Sequence, residues 1–423
     1  MYSWLCSAAA AATNSTNGTT SDGSAVTCIE QELGLARIFL AGNVCAIGAT
    51  LPIGMLMDWQ GPKATAVASF LLMFLGALTF ALSSEALDMY PWAFGLMGFA
   101  APGCIMSTFH TTSLFPVHKG TVLAVVNAAY DSSSVMCLLF LGIYIMVPNV
   151  QLYHLFIFYG CCVLLPLLVV YVWIMPRHRI VDVVAEEKKE KKDKKEEKEK
   201  EKEKEKEKEK KEEQGKKHSP QMTAAEPSVS KEVCSIKWLL FSMFFSVNLL
   251  RFSYYLGSVG PAMVQADPEQ ANEYLSILGG ILPCGFVVSP ALGWAIDSSK
   301  QSTSVLMVFL LGLVHSIAMC IPSLPLQILT FVLFTLFRSL FFTVGTTFAV
   351  RNFSPSLVGK VFGLTTLAAA VLSSTQYLLV EIALALDSFL VPHLVVLASS
   401  VLSLPLYFWL LSQESLGEKV VTM

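Results

Sequence analysis

A run of alternating lysine and glutamate divides this chain of 423 residues into two strongly apolar halves. The run extends from Arg177 to about Lys217, and it contains nothing that can bury apolar surface. It therefore stays in water, as disordered chain or as a solvated helix. Only 14% of the whole chain is charged and much of that charge lies in the run, so the flanking halves are far more apolar than a soluble protein. An all-α polytopic membrane protein is the class that fits.

The charge balance of this run limits what it can bind. Its Lys and Glu side chains nearly cancel, which argues against a strong polybasic anchor. We interpret the run as a linker between two membrane-embedded units. A binding tail for acidic lipid or for a tubulin-like partner is the alternative, and the sequence identifies no partner for it.

Apolar stretches long enough to cross a bilayer fill both halves, each about 20–25 residues long. The predicted spans are 33–57, 64–83, 91–115, 121–146 and 152–175 before the run, and 236–262, 273–295, 303–321, 325–350, 361–386 and 391–411 after it. They predict a segment 1–32 on the outer side, a helix bundle 33–175, a linker 176–235, a second bundle 236–411 and a tail 412–423.

The basic residues indicate which side of the membrane the linker occupies. Short loops on the linker side hold Lys63, Lys119, Lys300, Arg351 and Lys360, whereas the opposite loops contain no Lys or Arg. This asymmetry predicts a cytoplasmic linker and tail. The same orientation places the glycosylation acceptors Asn14 and Asn17 outside. A plasma membrane location is favoured, with an organelle membrane as the alternative.

Two loops on the linker side suggest a duplicated unit. A glycine and an aspartate four residues later recur at an offset of 239 positions, and a later glycine recurs at the same offset. The matched pairs are Gly54 and Gly293, Asp58 and Asp297, and Gly120 and Gly359. Recurrence in corresponding loops of both halves favours two parallel repeats.

The repeat implies a helix before residue 33. The span 236–262 needs a partner in the first half, and residues 1–12 are apolar but shorter than the roughly 20 residues that a span requires. We expect these residues to be the end of a first helix that begins upstream. The full design is then six helices plus six.

The loop Gly54-x-x-x-Asp58-x-x-Gly61-Pro-Lys63 resembles the signature loop of the major facilitator superfamily. The resemblance implies a carrier of two helix bundles that works by alternating access. It also implies that Gly54, Asp58, Gly61 and Lys63, with Gly293 and Asp297 in the second repeat, act at a cytoplasmic gate or hinge. Trp59 stands where the family has a basic residue, a departure that bears on the charge relay of this loop.

Three further stretches are similar to solute carrier family 43, the L-type-like amino acid transporters. They are Asn127–Val135, the segment from Leu250 to Gly257, and Phe337-Arg338 followed by Phe353–Leu364. What this resemblance implies is a facilitator of neutral or cationic amino acids.

Charged residues at mid-membrane are the strongest candidates for a substrate site, because a charge there is costly unless it faces a partner or a cavity. Asp131 offers a carboxylate for an ammonium group, and Arg251 offers a guanidinium fork for a carboxylate. Together they present the two charges that a zwitterionic amino acid needs, one from each half. The predicted site is completed by Asn127, Ser132, Ser133, Asn248, Tyr254, Tyr255, Arg338 and Gln376. Arg37 and Glu381 lie nearer the outer ends of their spans and are expected to extend toward water.

The sequence contains no nucleotide-binding loop, metal-ligand cluster or nucleophile–base set, so we expect neither an enzyme nor a cofactor. The expected function is facilitative uptake or exchange of amino acids. One alternative is a proton-coupled carrier of another small solute, with Asp131 as the proton site. The other is a truncated or non-transporting relative.

Overall fold

The computed structural model describes residues 29–84, 87–115, 117–133, 135–147, 150–175 and 229–421. Within these ranges the chain is helical and contains no strand. The predictions for residues 1–12, Asn14, Asn17 and the charged run lie outside the described residues.

The helices of the first half are α1 (Ile29–Gln60), α2 (Pro62–Leu82), α3 (Tyr90–Met106), α4 (Lys119–Ser132), α5 (Val135–Met146), α6 (Leu152–Phe158) and α7 (Leu165–Ile174). A 3-10 segment, Phe109–Leu114, follows α3, and a π-helical turn, Tyr159–Leu164, joins α6 to α7. The turn at Gly61 adopts a φ of 85°, which suits glycine, and Pro62 then opens α2, where its missing N–H has no helical partner to lose.

The second half contains α8 (Val229–Val233), α9 (Ile236–Ala266), α10 (Ala271–Ile281), α11 (Gly285–Ser298), α12 (Gln301–Met319), α13 (Leu324–Asn352), α14 (Val358–Ser373), α15 (Thr375–Ala385), α16 (Leu390–Ser399) and α17 (Leu404–Val421). Two 3-10 segments, Leu282–Cys284 and Ser400–Ser403, interrupt spans. The Ser235 side chain caps α9 by accepting from the Trp238 amide at 3.2 Å, which fixes where this long helix begins.

Ten helical stretches in the described residues are long and apolar enough to cross a membrane. The predicted span 121–146 is divided between α4 and α5. At the break the Ser133 amide donates to Tyr130 O at 3.2 Å and the Met136 amide to Ser133 O at 3.1 Å, so the bonds tighten to three-residue spacing. The Ser132 hydroxyl also donates to a carbonyl three residues earlier. Serine side chains that compete for backbone partners explain the interruption.

The two halves meet along a few helices. Across the interface α1 packs against α14, while α4 packs against α11 and α13. Within the first half α3 lies between α1 and α2, and within the second α9 contacts α14 and α12 packs on α13. This arrangement places α4 and α13 next to each other, with Asp131 near the C-terminal end of α4 and Arg338 at the middle of α13.

The distribution of polarity is that of a membrane protein. Large apolar side chains lie on the outside, among them Trp173, which is 85% exposed, and Val371, at 70%. Asn248, Arg251 and His315 are fully buried instead. Lipid around the bundles satisfies the apolar surface, whereas buried polar groups need partners inside the protein.

The last helix extends beyond the predicted span 391–411 and through most of the predicted tail, to Val421. Glu414 accounts for part of this extension. Its carboxylate accepts from the Ser302 amide at 3.0 Å and from the Ser302 hydroxyl at 2.6 Å, in the first turn of α12. A carboxylate at a helix N-terminus satisfies unpaired amides and favours the helix dipole, so α17 is held against α12.

Candidate functional site

An ion pair joins the two bundles, between the C-terminal end of α4 and the centre of α13. Asp131, one residue from the end of α4, accepts from Arg338 at the centre of α13, with Oδ1 and Nη2 separated by 2.8 Å. The Ser339 hydroxyl lies 3.4 Å from the second carboxylate oxygen. The two side chains are only 10% and 12% exposed. Each bundle therefore contributes one largely buried charge to a single contact.

The hydrogen-bonding capacity of Arg338 in this pair is not fully used. Removing one partner of a buried pair leaves an uncompensated charge and costs about 3–5 kcal/mol. The Arg338 Nε has no hydrogen-bond partner among the described residues, so the guanidinium retains an unused donor. A ligand with both a carboxylate and an ammonium group can replace the ion pair without leaving either charge alone.

In the structure Asp131 contacts Arg338, and Arg251, which the sequence analysis set opposite Asp131 in the predicted site, has other partners. Arg251 lies inside the second bundle and is fully buried. It donates to Asn248 Oδ1 at 2.9 Å and to the Ser400 hydroxyl, and its guanidinium lies over the Phe337 ring, 5.1 Å from the centroid. Because α9 directs this side chain toward α12 and α13, it does not reach Asp131. Arg338 is the arginine of the second half that contacts Asp131.

Gly312 of α12 makes room for the Arg251 side chain. A Cβ built at this glycine overlaps the Arg251 Nη1. Gly312→Ala is therefore expected to destabilise the protein by about 1–3 kcal/mol, the usual range for overpacking. Thermal unfolding of detergent-purified protein measures the change.

Gly279→Ala is the matched control, because a Cβ at that helical glycine has no heavy atom within 4 Å. It should leave stability unchanged or raise it slightly. The double variant with Gly312→Ala and Arg251→Gln, whose side chain is shorter, should lose less unfolding free energy than the sum of the losses in the two single variants. A fully additive double variant would show that the guanidinium does not limit the space at this glycine.

Asn127 and Asp131 share one face of α4. The Asn127 side-chain amide donates to the Thr346 hydroxyl of α13 at 3.1 Å, two turns along from Arg338. Two predicted site residues of the first half therefore contact one helix of the second. Ser132 is half-buried and bonded within its own helix, and Ser133 is exposed.

The other predicted site residues lie within the second bundle. The Tyr254 hydroxyl contacts His393 Nδ1 at 2.7 Å, and the Tyr255 ring packs against His315 with centroids 4.7 Å apart. Asn248 is occupied by Arg251 and by the carbonyl of Phe244. Gln376 faces the α9 backbone near Gly257, and its buried Oε1 has no partner in the described part of the chain. The structure thus separates the predicted set into an interface group and a group inside one bundle.

Asp58 links α1 to the first turn of α14 at the linker end of the molecule. Its Oδ1 accepts from the Gly359 amide at 3.1 Å and its Oδ2 from the Lys360 amide at 2.7 Å. These amides have no helical acceptor, so a carboxylate is favoured there by hydrogen bonding and by the helix dipole.

Asp297 makes the equivalent link in the opposite direction. Its carboxylate accepts from the Gly120 and Thr121 amides, both at 2.7 Å, and from the Thr121 hydroxyl at 2.8 Å. Arg351 adds an ion pair at 2.6 Å. We call the Asp58 and Asp297 contacts together the linker-side gate.

The two contacts of the linker-side gate are related by the repeat offset of 239 positions. Asp58 contacts residues 359 and 360, and its mate Asp297 contacts residues 120 and 121. Gly54 and Gly359 approach so closely that a Cβ on either overlaps the other's carbonyl, and a Cβ on Gly293 would lie 2.6 Å from Ala124 Cβ. These reciprocal contacts are what a parallel repeat requires. Lys63 lies in the first turn of α2, directly after this contact region.

Residues of these networks that sequence reasoning missed include Ser339, Thr346, Arg351 and Ser400. Serine and threonine are too common in apolar helices to single out. Arg351 was visible only as a basic residue on the linker side. Its mate at the repeat offset is Thr112, so the repeat carries no second arginine that would have drawn attention to it.

Two membrane-spanning helix bundles that contact each other through reciprocal carboxylates at one end and through an ion pair between α4 and α13 have the architecture of membrane carriers built from repeats. A family model described as Major Facilitator Superfamily matches residues 5–375, and the chain belongs to this superfamily. It is accordingly an integral, multi-pass membrane transporter of small molecules and not an enzyme.

Similar chains occur in yeast and in an apicomplexan parasite. Protein FMP42 of Saccharomyces cerevisiae is 25% identical over 93% of this chain and 87% of its own length. Two Toxoplasma gondii proteins, aromatic and large neutral amino acid transporter 5-3 and amino acid transporter 6-1, are each 22% identical over 79% and 82% of this chain. The matches span 63% and 61% of the length of those two transporters.

Solved structures share the fold at low identity. The Escherichia coli fucose:proton symporter FucP aligns with a TM-score of 0.60 and 10% identity, over 90% of this chain and 92% of that one. The human organic anion transporter MFSD10 (TETRAN) aligns with a TM-score of 0.58 and 14% identity, over 88% and 83%. Both support the major facilitator fold.

Proposed function

We propose that this transporter carries amino acids as zwitterions, by facilitative uptake or exchange. The Asp131–Arg338 ion pair is the observation on which the proposal depends. In the proposed complex the substrate ammonium contacts Asp131 and the substrate carboxylate contacts Arg338. Two relatives named as amino acid transporters support the same substrate class.

The substrate site explains how binding would be linked to movement of the bundles. When no substrate is bound, the Asp131–Arg338 ion pair holds α4 to α13. A zwitterion placed between the two charges keeps both compensated while separating the side chains, so the bundles exchange a direct contact for a ligand-mediated one. Alternating access then proceeds around a site near the membrane midplane, as in other carriers built from repeats.

This geometry selects against solutes with a single charge. A ligand with only an amine leaves the buried charge of Arg338 without a partner. A ligand with only a carboxylate leaves the buried charge of Asp131 without one. At about 3–5 kcal/mol for an uncompensated buried charge, such analogues should bind roughly a hundredfold or more weakly.

Counterflow in proteoliposomes tests the proposal. We expect a panel of radiolabelled amino acids to contain at least one that is accumulated by exchange. Its decarboxylated amine and its 2-oxo acid, which keep the same side chain, should compete at least a hundredfold less well. Uptake of no amino acid in the panel, or equal competition by the 2-oxo acid, would contradict the zwitterion site.

The same ion pair supports one alternative, a proton-coupled carrier. A proton on the largely buried Asp131 would remove the charge that Arg338 pairs with, and would thereby release α4 from α13. Uptake that follows an imposed pH gradient in the same proteoliposomes favours this alternative. Exchange that is independent of the gradient favours facilitated transport.

The more specific resemblance to solute carrier family 43 and the choice between neutral and cationic amino acids stay predictions. The amino acid panel decides between the two substrate classes. Accumulation of lysine or arginine would favour the cationic class, and accumulation of leucine or phenylalanine the neutral class.

A further inference from the structure

A cavity of about 470 Å³ lies in the second bundle, at the end opposite the linker-side gate. It is formed by the C-terminal end of α9, the connection between α12 and α13, and the connection between α15 and α16. All of its lining residues come from the second half, so the cavity does not lie between the bundles. Asp131 and Arg338 are not among them. We call it the outer cavity.

Hydrogen-bond donors gather at the inner end of the outer cavity. His393 and Tyr255 line it. The Tyr254 hydroxyl lies 2.7 Å from His393 Nδ1, and in the tautomer that accepts the hydroxyl proton the neutral imidazole carries its own proton on Nε2, which is then a donor. The Tyr255 hydroxyl is buried and has no partner in the described residues. A buried donor of this kind is normally satisfied, so the Tyr255 hydroxyl indicates a missing acceptor.

A buried positive charge lies close to Tyr255 along α9. Arg251 is one turn before Tyr255 on α9 and is fully buried, and within the described ranges it forms no ion pair with a carboxylate. His315 packs between Tyr255 and Phe337, and neither of its ring nitrogens has a partner there. A buried, uncompensated guanidinium in a medium of low dielectric attracts an anion over several ångströms.

The walls of the outer cavity are apolar and its entrance is acidic. Met263, Met319, Leu324 and Phe389 line the walls. Asp387 is exposed and accepts from Gln265 at 2.7 Å, so its charge meets water, where it is screened. The cavity volume is within the range of sites for small organic ligands. An apolar body with one carboxylate directed inward fits this arrangement of walls and donors.

We propose that the outer cavity binds a small monocarboxylate with an apolar body, at a site separate from the substrate site. The carboxylate accepts from Tyr255 and His393, and the nearby Arg251 compensates its charge. The apolar body packs between the methionine, leucine and phenylalanine walls. Because the site is built from one bundle only, its occupation does not require the Asp131–Arg338 pair to open.

Calorimetric titration of detergent-purified full-length protein with 4-phenylbutyrate tests this site. The probes for comparison are 4-phenylbutylamine and 4-phenylbutanol, which share the body but carry a positive charge or none. We expect binding of the carboxylate and at least tenfold weaker binding of both analogues. Equal or tighter binding of the amine would overturn the proposal and assign the anchor to Asp387.

Variants locate the binding within the outer cavity. Tyr255→Phe removes one hydroxyl and should weaken 4-phenylbutyrate binding at least tenfold, and Ala262→Trp, which fills the cavity, should abolish it. Val264→Trp on the same helix is the matched control, because Val264 is exposed and does not line the cavity. Asp387→Asn should leave binding unchanged.

Asp131→Asn distinguishes the outer cavity from the substrate site. It should not alter 4-phenylbutyrate binding, whatever it does to transport. Binding that is lost in Asp131→Asn but kept in Ala262→Trp would place the ligand at the substrate site and overturn the proposal.

Discussion

Asp131→Asn is expected to lower amino acid uptake in proteoliposomes at least a hundredfold, and Arg338→Gln should have an effect of the same size. Either change leaves the other charge buried at 10% to 12% exposure without its partner, which costs about 3–5 kcal/mol. Each also removes one of the two groups proposed to hold the substrate. Arg338→Lys keeps the charge but loses the planar fork, so it should recover only part of the uptake.

Loss of folding would produce the same loss of uptake, so a charge swap is needed. The double variant with Asp131→Arg and Arg338→Asp can form the ion pair again with reversed polarity. Its unfolding temperature in detergent should return toward that of the unmodified protein, whereas its uptake should stay low, because the substrate would have to bind in the reverse orientation. A swap that restores uptake in full would show that the pair acts only as a structural contact.

Two exposed charges provide matched controls. Glu381→Gln and Arg37→Gln make the same chemical changes at side chains that lie on the exposed surface of the described structure. Both should retain uptake within about twofold, since exposed charges contribute little. A large loss in either would show that net charge, rather than the Asp131–Arg338 contact, controls transport.

The spans and the repeat could be predicted because each depends on a strong, local signal. Membrane thickness fixes the length of an apolar span, and most predicted spans agree with the observed helices to within a few residues. The offset of 239 positions identified Asp58 and Asp297 as equivalent residues, and the structure gives them equivalent contacts. A single sequence could not show that Asp58 contacts Gly359 while Asp297 contacts Gly120, the repeat equivalent of Gly359.

The sequence could not predict which arginine pairs with Asp131. It gives the depth of a residue along its span, but it does not give the side of the helix from which the side chain points into the bundle. Arg251 and Arg338 both lie near the middle of a span, and either could in principle have met Asp131. Direction depends on how α9 and α13 are rotated in the bundle, which many apolar contacts decide together. Gly312, which admits the Arg251 side chain, was indistinguishable from other glycines in apolar helices.

Asp297→Asn is expected to open the linker-side gate, because it removes the charge that holds two α4 amides, the Thr121 hydroxyl and Arg351. Charge-assisted hydrogen bonds contribute about 1.5–3 kcal/mol each, so a tenfold or greater shift toward the open state is reasonable.

Maleimide labelling in nanodiscs measures this opening at a cysteine introduced at Ser113, which lines the small cavity beside Asp58, in a background without other reactive cysteines. Labelling should be at least tenfold faster in Asp297→Asn and in Asp58→Asn. The matched control is Asp267→Asn. Asp267 also accepts backbone amides before a helix, those of Glu269 and Gln270, but within one bundle and at the opposite end. Faster labelling in all three variants would indicate general loosening, whereas an effect confined to Asp58 and Asp297 would assign the linker-side closure to these two carboxylates.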